Sequence, residues 1–371
     1  MSNQPTRTRV LLVFGGASSE HQISCLTAGG VARAIDGDRF EVVGVGITHE
    51  GAWVRIPATE LVGYEVIDGR LPEVPADRPM AILVPGERPV VATLDGDRLL
   101  DVEPFDVAFA LLHGPFGEDG TIQGLFEMGG VRYVGSGVTA SAIGMDKDLM
   151  KRAMAAGGLP VGPWVTINPT DWLTDRAGCL ARAAELKLPV FVKPARGGSS
   201  LGIVKVETAA AMEAAIAEAQ RFDPKVVIEQ GFTGIREVEV AVLGGHDGVP
   251  RASLPGEIRM HDPNAFYDFD AKYLPQNQVS LDVPANLEEA TIAAVRELAA
   301  RTFTVMNAEG LARVDLFLAA DGQAYVNELN TMPGFTRTSM FPMMWAASGL
   351  EYPDLIATLV ELALNRPLGL R

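Results

Sequence analysis

The chain has 371 residues, 47% of them hydrophobic, and carries 31 Lys and Arg against 47 Asp and Glu, for a net charge of −16. That size and composition predict two or three globular domains with ample core and exclude a disordered chain. The acidity excludes nucleic acid as a partner, because a phosphate backbone needs a basic surface, and it makes any local cluster of Lys and Arg informative.

The N-terminus has only a short apolar run before glycine, which reads as a first strand rather than a signal peptide. No stretch approaches the roughly 18 apolar residues of a membrane span, so a cytoplasmic protein without membrane contact is expected. Cys25 and Cys179 fall in helix-like segments and allow neither a disulfide framework nor a Cys-rich metal site.

Arg9 to Phe14 is a buried-strand run ending in Gly15-Gly16-Ala17-Ser18-Ser19-Glu20-His21, with a helical pattern from about Ile23. Strand, Gly-rich turn and helix open a doubly wound α/β unit. The G-x-G-x-x-G dinucleotide fingerprint is absent, which argues against an oxidoreductase. Glu20 either caps the first helical turn or orients a group in a site. A second strand is expected over Glu41 to Ile47. Residues 55 to 104, rich in Pro, Gly and Asp, read as strands and loops decorating the first domain, with alternation at Met80 to Val84 and Val90 to Leu94. Phe105 to Leu112 is a further buried strand, ending in the polar loop His113-Gly114-Pro115-Phe116-Gly117-Glu118-Asp119-Gly120 before a helix from about Thr121. Such loops at the carboxyl ends of parallel strands bind ligands, which aims His113 at the same crevice as Glu20; a loop histidine bonded to its neighbours is the plainer reading. Residues 132–134 read as a short strand.

A helical pattern runs from Asp146 to Ala156 and places Lys147 in its first turn, where a cation opposes the helix dipole. It either faces a phosphate or sits on a solvated face. Strands Val190–Lys193 and Leu201–Val206 flank Pro194-Ala195-Arg196-Gly197-Gly198-Ser199-Ser200. No P-loop order is present and no helix follows, so the segment reads as a strand–loop–strand cover whose amides can wrap phosphate oxygens, with Lys193 at the strand end. The alternative is a plain Gly-rich hairpin. A helix over Ala209 to Ala219 leads to strand Lys225–Glu229, then to strand Glu237–Leu243. Met260 to Gln276 is a polar, aromatic, turn-rich connector of the kind that forms lids, and it carries Tyr267, Lys272 and Tyr273. Leu287 to Met306 has helical periodicity, and a last helix is expected from about Pro353 to Leu364.

Between those two helices lies the most informative stretch, Leu311 to Ser339. Two alternating apolar runs flank Asp321-Gly322, which predicts a hairpin with a two-residue type I′ turn and Ala320 opposite Gln323. Counting outward, Asp315 falls opposite Glu328 and Arg313 opposite Asn330, all on one face. Val314, Leu316 and Leu318 on the other face read as core. Opposed carboxylates repel, so a cation belongs between them: either Arg313 or a hard metal ion, since Asp, Glu and Asn are oxygen donors.

Five separated motifs, GGASSEHQIS, LLHGPFGEDGTIQG, VKPARGGSSLG, AFYDFDAKY and RVDLF…VNELNTMPGFTRTS, occur in an order that resembles the D-alanine–D-alanine ligases of the ATP-grasp superfamily over essentially the whole length. The resemblance implies a three-domain α/β ATP-grasp architecture: an N-terminal doubly wound (pre-ATP-grasp) domain over 1–145, a central subdomain over 146–234, and a C-terminal subdomain with the catalytic and metal site over 235–371. It implies ATP-dependent ligation of two D-alanines through an acyl phosphate, for peptidoglycan precursors. Asp315, Glu328 and Asn330 would hold two Mg²⁺ ions, with Mn²⁺ a substitute. Lys147, Lys193 and Lys272 would contact phosphates, covered by Ser199, Ser200 and neighbouring amides. Glu229, Gln230, Phe232 and Glu237 match adenine and ribose positions, Gln230 standing where many relatives have lysine. Arg313 and the Gly334 N–H would stabilise the oxyanion. Glu20, with His113 beside it, would bind the first ammonium, and Ser339 the second carboxylate. Glu20, Ser199 and Tyr273 match a hydrogen-bonded triad, and Tyr273 favours an amine nucleophile. A homodimer is implied. The alternatives are a ligase that accepts D-serine or D-lactate, and a non-catalytic nucleotide-binding sensor, against which the retained set Arg313, Asp315, Glu328 and Asn330 argues.

Overall fold

The computed structural model describes residues 7–198, 201–261 and 279–369, and among these the chain builds three sheets. Strand β1 (Thr8–Gly15) is an apolar run whose Val10, Leu11, Leu12, Val13 and Phe14 are wholly buried, as a parallel strand covered on both faces must be. It lies between β2 (Phe40–Ile47) and β7 (Val107–Ala110) and runs parallel to both. Strands β3 (Trp53–Ile56), β4 (Met80–Val84), β5 (Val90–Asp95) and β6 (Arg98–Pro104) continue the sheet as an antiparallel meander, giving the order β6-β5-β4-β3-β2-β1-β7. Around residues 132–134, where the sequence predicts a strand, Tyr133 makes only an isolated parallel bridge to Ala108.

At Gly15 (φ +87°) a Cβ would come within 2.3 Å of the Ile47 carbonyl oxygen, so only glycine lets β1 turn there. The following helix, His21–Ala34, begins two residues before its periodicity does. Ser24 pins it in place: its Oγ accepts the Gly15 N–H at 2.8 Å and donates to the Leu111 carbonyl at 2.6 Å. The turns that follow β1 and β7 are thereby tied together at the carboxyl edge of the sheet.

The second sheet, β10-β9-β11-β8, is antiparallel and comprises β8 (Trp164–Ile167), β9 (Val190–Pro194), β10 (Val204–Val206) and β11 (Val226–Gln230). Strand β10 is shorter than the alternation suggests, and the helix expected over 209–219 opens with a single 3-10 turn, Ala209–Ala211, before Met212–Ala219. The helix Lys147–Ala156 precedes this sheet. Asp146 caps it, accepting the N–H groups of Asp148 and Leu149, each at 3.1 Å. Lys147, Met150, Lys151 and Met154 form its buried stripe at positions i, i+3, i+4 and i+7, so two lysines share the face that packs inward.

The third sheet runs β15-β14-β12-β16-β17, with β13 beside β12. Its strands are β12 (Arg236–Leu243), β13 (Arg251–Ala252), β14 (Gly256–Met260), β15 (Val279–Asp282), β16 (Leu311–Leu318) and β17 (Ala324–Asn330). One face buries Val238, Val240, Val242, Val314, Leu316 and Leu318 against Phe303 of the helix Glu289–Val305 and Met150 and Met154. Each such side chain contributes about 1.5–3 kcal/mol. On the opposite face Ala241, Leu243 and Leu311 are buried toward one end, and Glu237, Glu239, Arg313 and Asp315 stand toward the other. Helices Met340–Ala347, which the sequence reading lacks, and Tyr352–Asn365 carry Phe341, Leu355 and Ile356 into one core with Val10, Leu12 and Phe14, joining the first and third sheets.

The β16–β17 connection corrects the predicted turn. The Ala319 N–H donates to the Gln323 carbonyl and the Gly322 N–H to the Ala319 carbonyl, both at 2.9 Å. This is a three-residue turn with Gly322 left-handed (φ +84°), whereas a type I′ turn also needs Asp321 left-handed, and it is not. The pairing is therefore displaced by one residue near the turn. A bulge restores it: Leu316 pairs with Val326 but Asp315 with Glu328, leaving Asn327 as the extra residue. Arg313 faces Asn330 and Asp315 faces Glu328 as predicted, through two offsets that cancel.

Candidate active site

A cavity of about 700 Å³ opens where the three sheets approach one another. The first sheet contributes Glu20, His113 and Glu118; the central segment Lys147, Lys193, Gly197 and Gly198; the third sheet and its loops Glu237, Glu239, Arg313, Asp315, Glu328, Asn330, Gly334 and Ser339. Ser199, Ser200, Lys272 and Tyr273 lie outside the described residues, as does most of the predicted lid.

The acidic wall is built on β12, β16 and β17. Arg313 forks onto Asp315 of its own strand, with Nε to Oδ1 at 2.6 Å and the second guanidinium nitrogen to Oδ2 at 2.7 Å, and reaches Glu239 at 3.2 Å. Glu239 sits opposite Asp315 across the β12–β16 ladder. Burial works against the guanidinium charge, but Asp315 and Glu239 outweigh it and hold the group well above its ordinary pKa. Asn330 donates its amide N–H to Asp315 Oδ2 at 3.0 Å, which leaves the amide oxygen as an acceptor. Among the described residues no three His, Cys, Asp or Glu side chains form a closed metal cage. Two carboxylates and one amide oxygen on a single face instead fit an open hard-cation site of the kind completed by water and substrate oxygens.

The basic wall is built on β9, β11 and the helix Lys147–Ala156. Glu229 lies between two lysines, with Lys193 Nζ at 2.8 Å and Lys151 Nζ at 3.4 Å. Burial alone would raise the carboxyl; Lys151 and Lys193 overcome it and hold Glu229 down to about 2. For Lys193, burial is likewise outweighed by Glu229, which keeps it above its ordinary value, whereas burial prevails at Lys151 and lowers it. Lys147 Nζ donates to the Gly197 carbonyl at 2.7 Å, and its backbone N–H to Ala195, so the helix start is fastened to the Gly-rich loop. Gln230 turns its side chain onto the Lys187 N–H at 3.0 Å, which occupies it away from the cavity. Phe232 packs its ring against Tyr325 and Phe317, at centroid distances of 4.8 and 5.8 Å.

The third wall comes from the two loops tied by Ser24. Glu20 stands at the N-cap position yet makes no side-chain capping bond, so the capping alternative falls. His113 is buried, and its Nδ1 lies 3.1 Å from the Met332 carbonyl oxygen. A carbonyl only accepts, so Nδ1 carries the proton and Nε2 is a bare acceptor, without a partner among the described residues. Burial holds the imidazole below its ordinary pKa against the pull of Glu20, which keeps it neutral. Burial, and then Glu20, push the Glu118 carboxyl up to about 8. Gly334 follows β17 closely, and a Cβ there would lie 3.2 Å from Ser339 Oγ, so the turn and the start of the helix Met340–Ala347 are packed together.

Glu118, Lys151 and Glu239 are absent from the residues the sequence singles out. Lys151 was detectable: it follows Lys147 by four positions on one helical face. Glu118 and Glu239 act through partners distant in sequence.

Three sheets closing on a cleft with one basic and one acidic wall belong to the ATP-grasp fold, the scaffold of ADP-forming ligases. The family descriptions "D-ala D-ala ligase N-terminus" and "D-ala D-ala ligase C-terminus" match residues 9–136 and 153–361. The D-alanine--D-alanine ligase of Kineococcus radiotolerans is 51% identical over 381 residues, covering 100% of each chain. Among solved structures, the D-alanine-D-alanine ligase from Coxiella burnetii is 32% identical with a TM-score of 0.80, covering 97% of this chain and 94% of that one. The VanG D-Ala:D-Ser ligase from Enterococcus faecalis is 28% identical with a TM-score of 0.82, covering 96% and 100%. The chain belongs to the D-alanine–D-alanine ligase family.

Proposed function

We propose that this chain uses ATP to join two D-alanine molecules into D-alanyl-D-alanine for peptidoglycan synthesis, releasing ADP and phosphate. The observation that carries this reading is the polarised cleft: a lysine wall suited to phosphates faces a carboxylate wall suited to divalent cations, with a substrate wall between them. In this reading Glu20 receives the ammonium of the first D-alanine, and the bare Nε2 of His113 offers a second acceptor beside it. Lys147 and Lys193 take phosphate oxygens, joined by Lys272, Ser200 and the loop amides. Glu229, Phe232 and Glu237 line the adenosine end, with Gln230 contributing backbone only. Asp315, Glu328 and Asn330 hold two Mg²⁺ ions, for which Mn²⁺ can substitute. Bound there, the metal supplies charge neutralisation on the transferring phosphoryl group.

The carboxylate of the first D-alanine takes the γ-phosphoryl group, giving an acyl phosphate and ADP. Ser339 orients the second D-alanine through its carboxylate. The amine of that molecule attacks the acyl carbon, and Arg313 and the Gly334 N–H hold the resulting oxyanion, a role worth roughly 2.7–4 kcal/mol per donor. Phosphate then leaves. Ser199 and Tyr273 join Glu20 in orienting the attacking amine. The same reading divides the chain at 1–145, 146–234 and 235–371, and makes it a cytoplasmic homodimer. Among the described residues no helix is long and apolar enough to cross a membrane.

Acceptor choice is the point at which a second reading has support, because one similar structure is a D-Ala:D-Ser ligase. Phosphate release measured with D-alanine alone, and with D-alanine plus D-serine or D-lactate, separates the two. D-Alanine alone is expected to give the fastest release. Absence of D-alanine-dependent release in the presence of Mg²⁺ would overturn the ligase reading and favour the sensor.

A further inference from the structure

Glu118 has no role in the chemistry described above, yet it is a half-buried carboxyl group beside two others, Glu20 and Glu328, which raise its pKa further. With its pKa at about 8 the group is largely neutral at neutral pH, but an apolar side chain would still pack there at lower cost. Its geometry accounts for its presence. One oxygen accepts the Gly114 N–H at 2.8 Å within its own loop, and the other accepts the Met332 N–H at 3.2 Å, 214 positions along the chain. The Met332 carbonyl is taken by His113 Nδ1 from the same loop. Both backbone polar groups of Met332 are therefore held by side chains of residues 113 and 118.

Met332 is followed by Pro333 and Gly334. Proline fixes its own φ and restricts the residue before it, so the orientation of the Met332 peptide is passed on to Gly334 through few free torsions. The far side of the turn is also anchored. The Tyr352 hydroxyl donates to the Phe335 carbonyl at 2.7 Å, and the Thr336 N–H donates to Ser339 Oγ at 3.2 Å. Gly334 thus hangs between a downstream anchor in its own domain and an upstream clip from the first sheet.

The loop that supplies the clip is itself held rigidly. Gly114 and Gly120 are left-handed, and so is Phe116 at φ +68°, a conformation that costs a non-glycine residue roughly 1–2 kcal/mol. Asp119 retains it, accepting the N–H groups of Phe116 and Thr121 at 2.9 Å each. Gln123 donates to the Gly117 carbonyl at 2.7 Å. Backbone strain maintained by its surroundings is characteristic of loops that must present side chains in one arrangement.

We propose that Glu118 is a positioning residue for the transition state: with His113 it clips the Met332 peptide and so aims the Gly334 N–H at the oxyanion. The inference rests on the ligase reading, in which Gly334 is an oxyanion donor. It also makes the oxyanion site a product of two domains, since the first sheet sets the direction of a donor carried by the third.

The test compares wild type with Glu118→Gln, whose amide accepts through one oxygen only, and Glu118→Asp, which is too short to span both N–H groups. A control outside the clip is Glu127→Gln, which alters a bond from the Tyr133 hydroxyl. Wild type must first show D-alanine-dependent phosphate release; its failure to do so would sink the ligase reading and this inference with it, whereas the variants test the inference alone. With an active wild type, Glu118→Gln is expected to lower kcat by roughly 100-fold, the scale of a misplaced oxyanion donor, with KM for ATP changed less than about twofold. Affinity for a phosphinate analogue of the tetrahedral intermediate should fall by a similar factor. Hydrogen exchange in the peptide spanning 329–336 should speed up in Glu118→Gln and stay at the wild-type rate in Glu127→Gln. Glu118→Asp should fall between wild type and Gln, and it decides the matter if the Gln variant does not fold. A folded variant at either severity with kcat within about threefold of wild type and unchanged analogue affinity would overturn the proposal.

Discussion

The acidic wall of the cleft is a half-buried ion cluster and the basic wall a buried one, and they are unbalanced in opposite senses. On β16, one guanidinium, Arg313, answers to three carboxylates, Asp315, Glu239 and Glu328. On β11, one carboxylate, Glu229, answers to three ammonium groups, Lys151, Lys193 and Lys147. A buried ion pair that only supports packing tends toward neutrality, because each unpaired charge pays for its own desolvation. Surplus negative charge on one wall and surplus positive charge on the other mark where counter-charges of the ligand fit. Divalent cations match the first wall and phosphate oxygens the second.

The comparison breaks most completely at Asp315. Asp315→Ala removes the residue that Arg313 and Asn330 both hold and is expected to lower Mg²⁺-dependent turnover by roughly a thousand-fold, while circular dichroism and gel filtration remain those of wild type. Full retained activity would take Asp315 out of the metal site. Lys193→Met tests the other wall. Loss of one charge-assisted contact should raise KM for ATP roughly 10- to 100-fold, with KM for D-alanine unchanged; a shift confined to D-alanine would relocate Lys193.

A subtler separation comes from pH. Glu229 is held at about 2, below its ordinary 4.5. Its folded-state pKa is depressed, so the stabilisation it confers is complete above about pH 4.5 and is lost as pH falls toward 2. Some two units correspond to about 3 kcal/mol. Melting temperature followed from pH 6 to pH 2 should therefore fall less steeply in Glu229→Gln than in wild type, and parallel curves would deny the lysine cluster its effect. The smallest effect belongs to Gly322, left-handed and in open space. Gly322→Ala should cost about 1 kcal/mol and leave kcat unchanged; a loss of activity would mean that the turn, and not the bulge, sets the face of the hairpin.

The hairpin also shows how far sequence reaches. Alternation and Asp321-Gly322 placed Arg313, Asp315, Glu328 and Asn330 on one face, because a period of two is written in residue types. The turn type is not legible in the same way, since Asp-Gly serves both a two-residue turn and a three-residue turn that ends in a left-handed glycine. The bulge at Asn327 has no local signature, and it cancels the offset of the longer turn. Strands β1, β2, β9 and β12 were legible from their apolar runs, whereas β8 and the helix Met340–Ala347 were not, lacking a clear period. Glu239 and Glu118 needed the tertiary fold: one meets its partners across the β12–β16 ladder, the other across 214 positions. Gln230 shows the converse, a residue placed by motif whose side chain folds back onto Lys187.

In the proposed reading both walls serve one event, transfer of a phosphoryl group onto the carboxylate of D-alanine. D-Alanine labelled with ¹⁸O in its carboxylate, turned over with ATP and Mg²⁺, tests that event directly. Activation as an acyl phosphate predicts one ¹⁸O in each released phosphate for every dipeptide formed. Phosphate free of label, alongside dipeptide formation, would contradict the account.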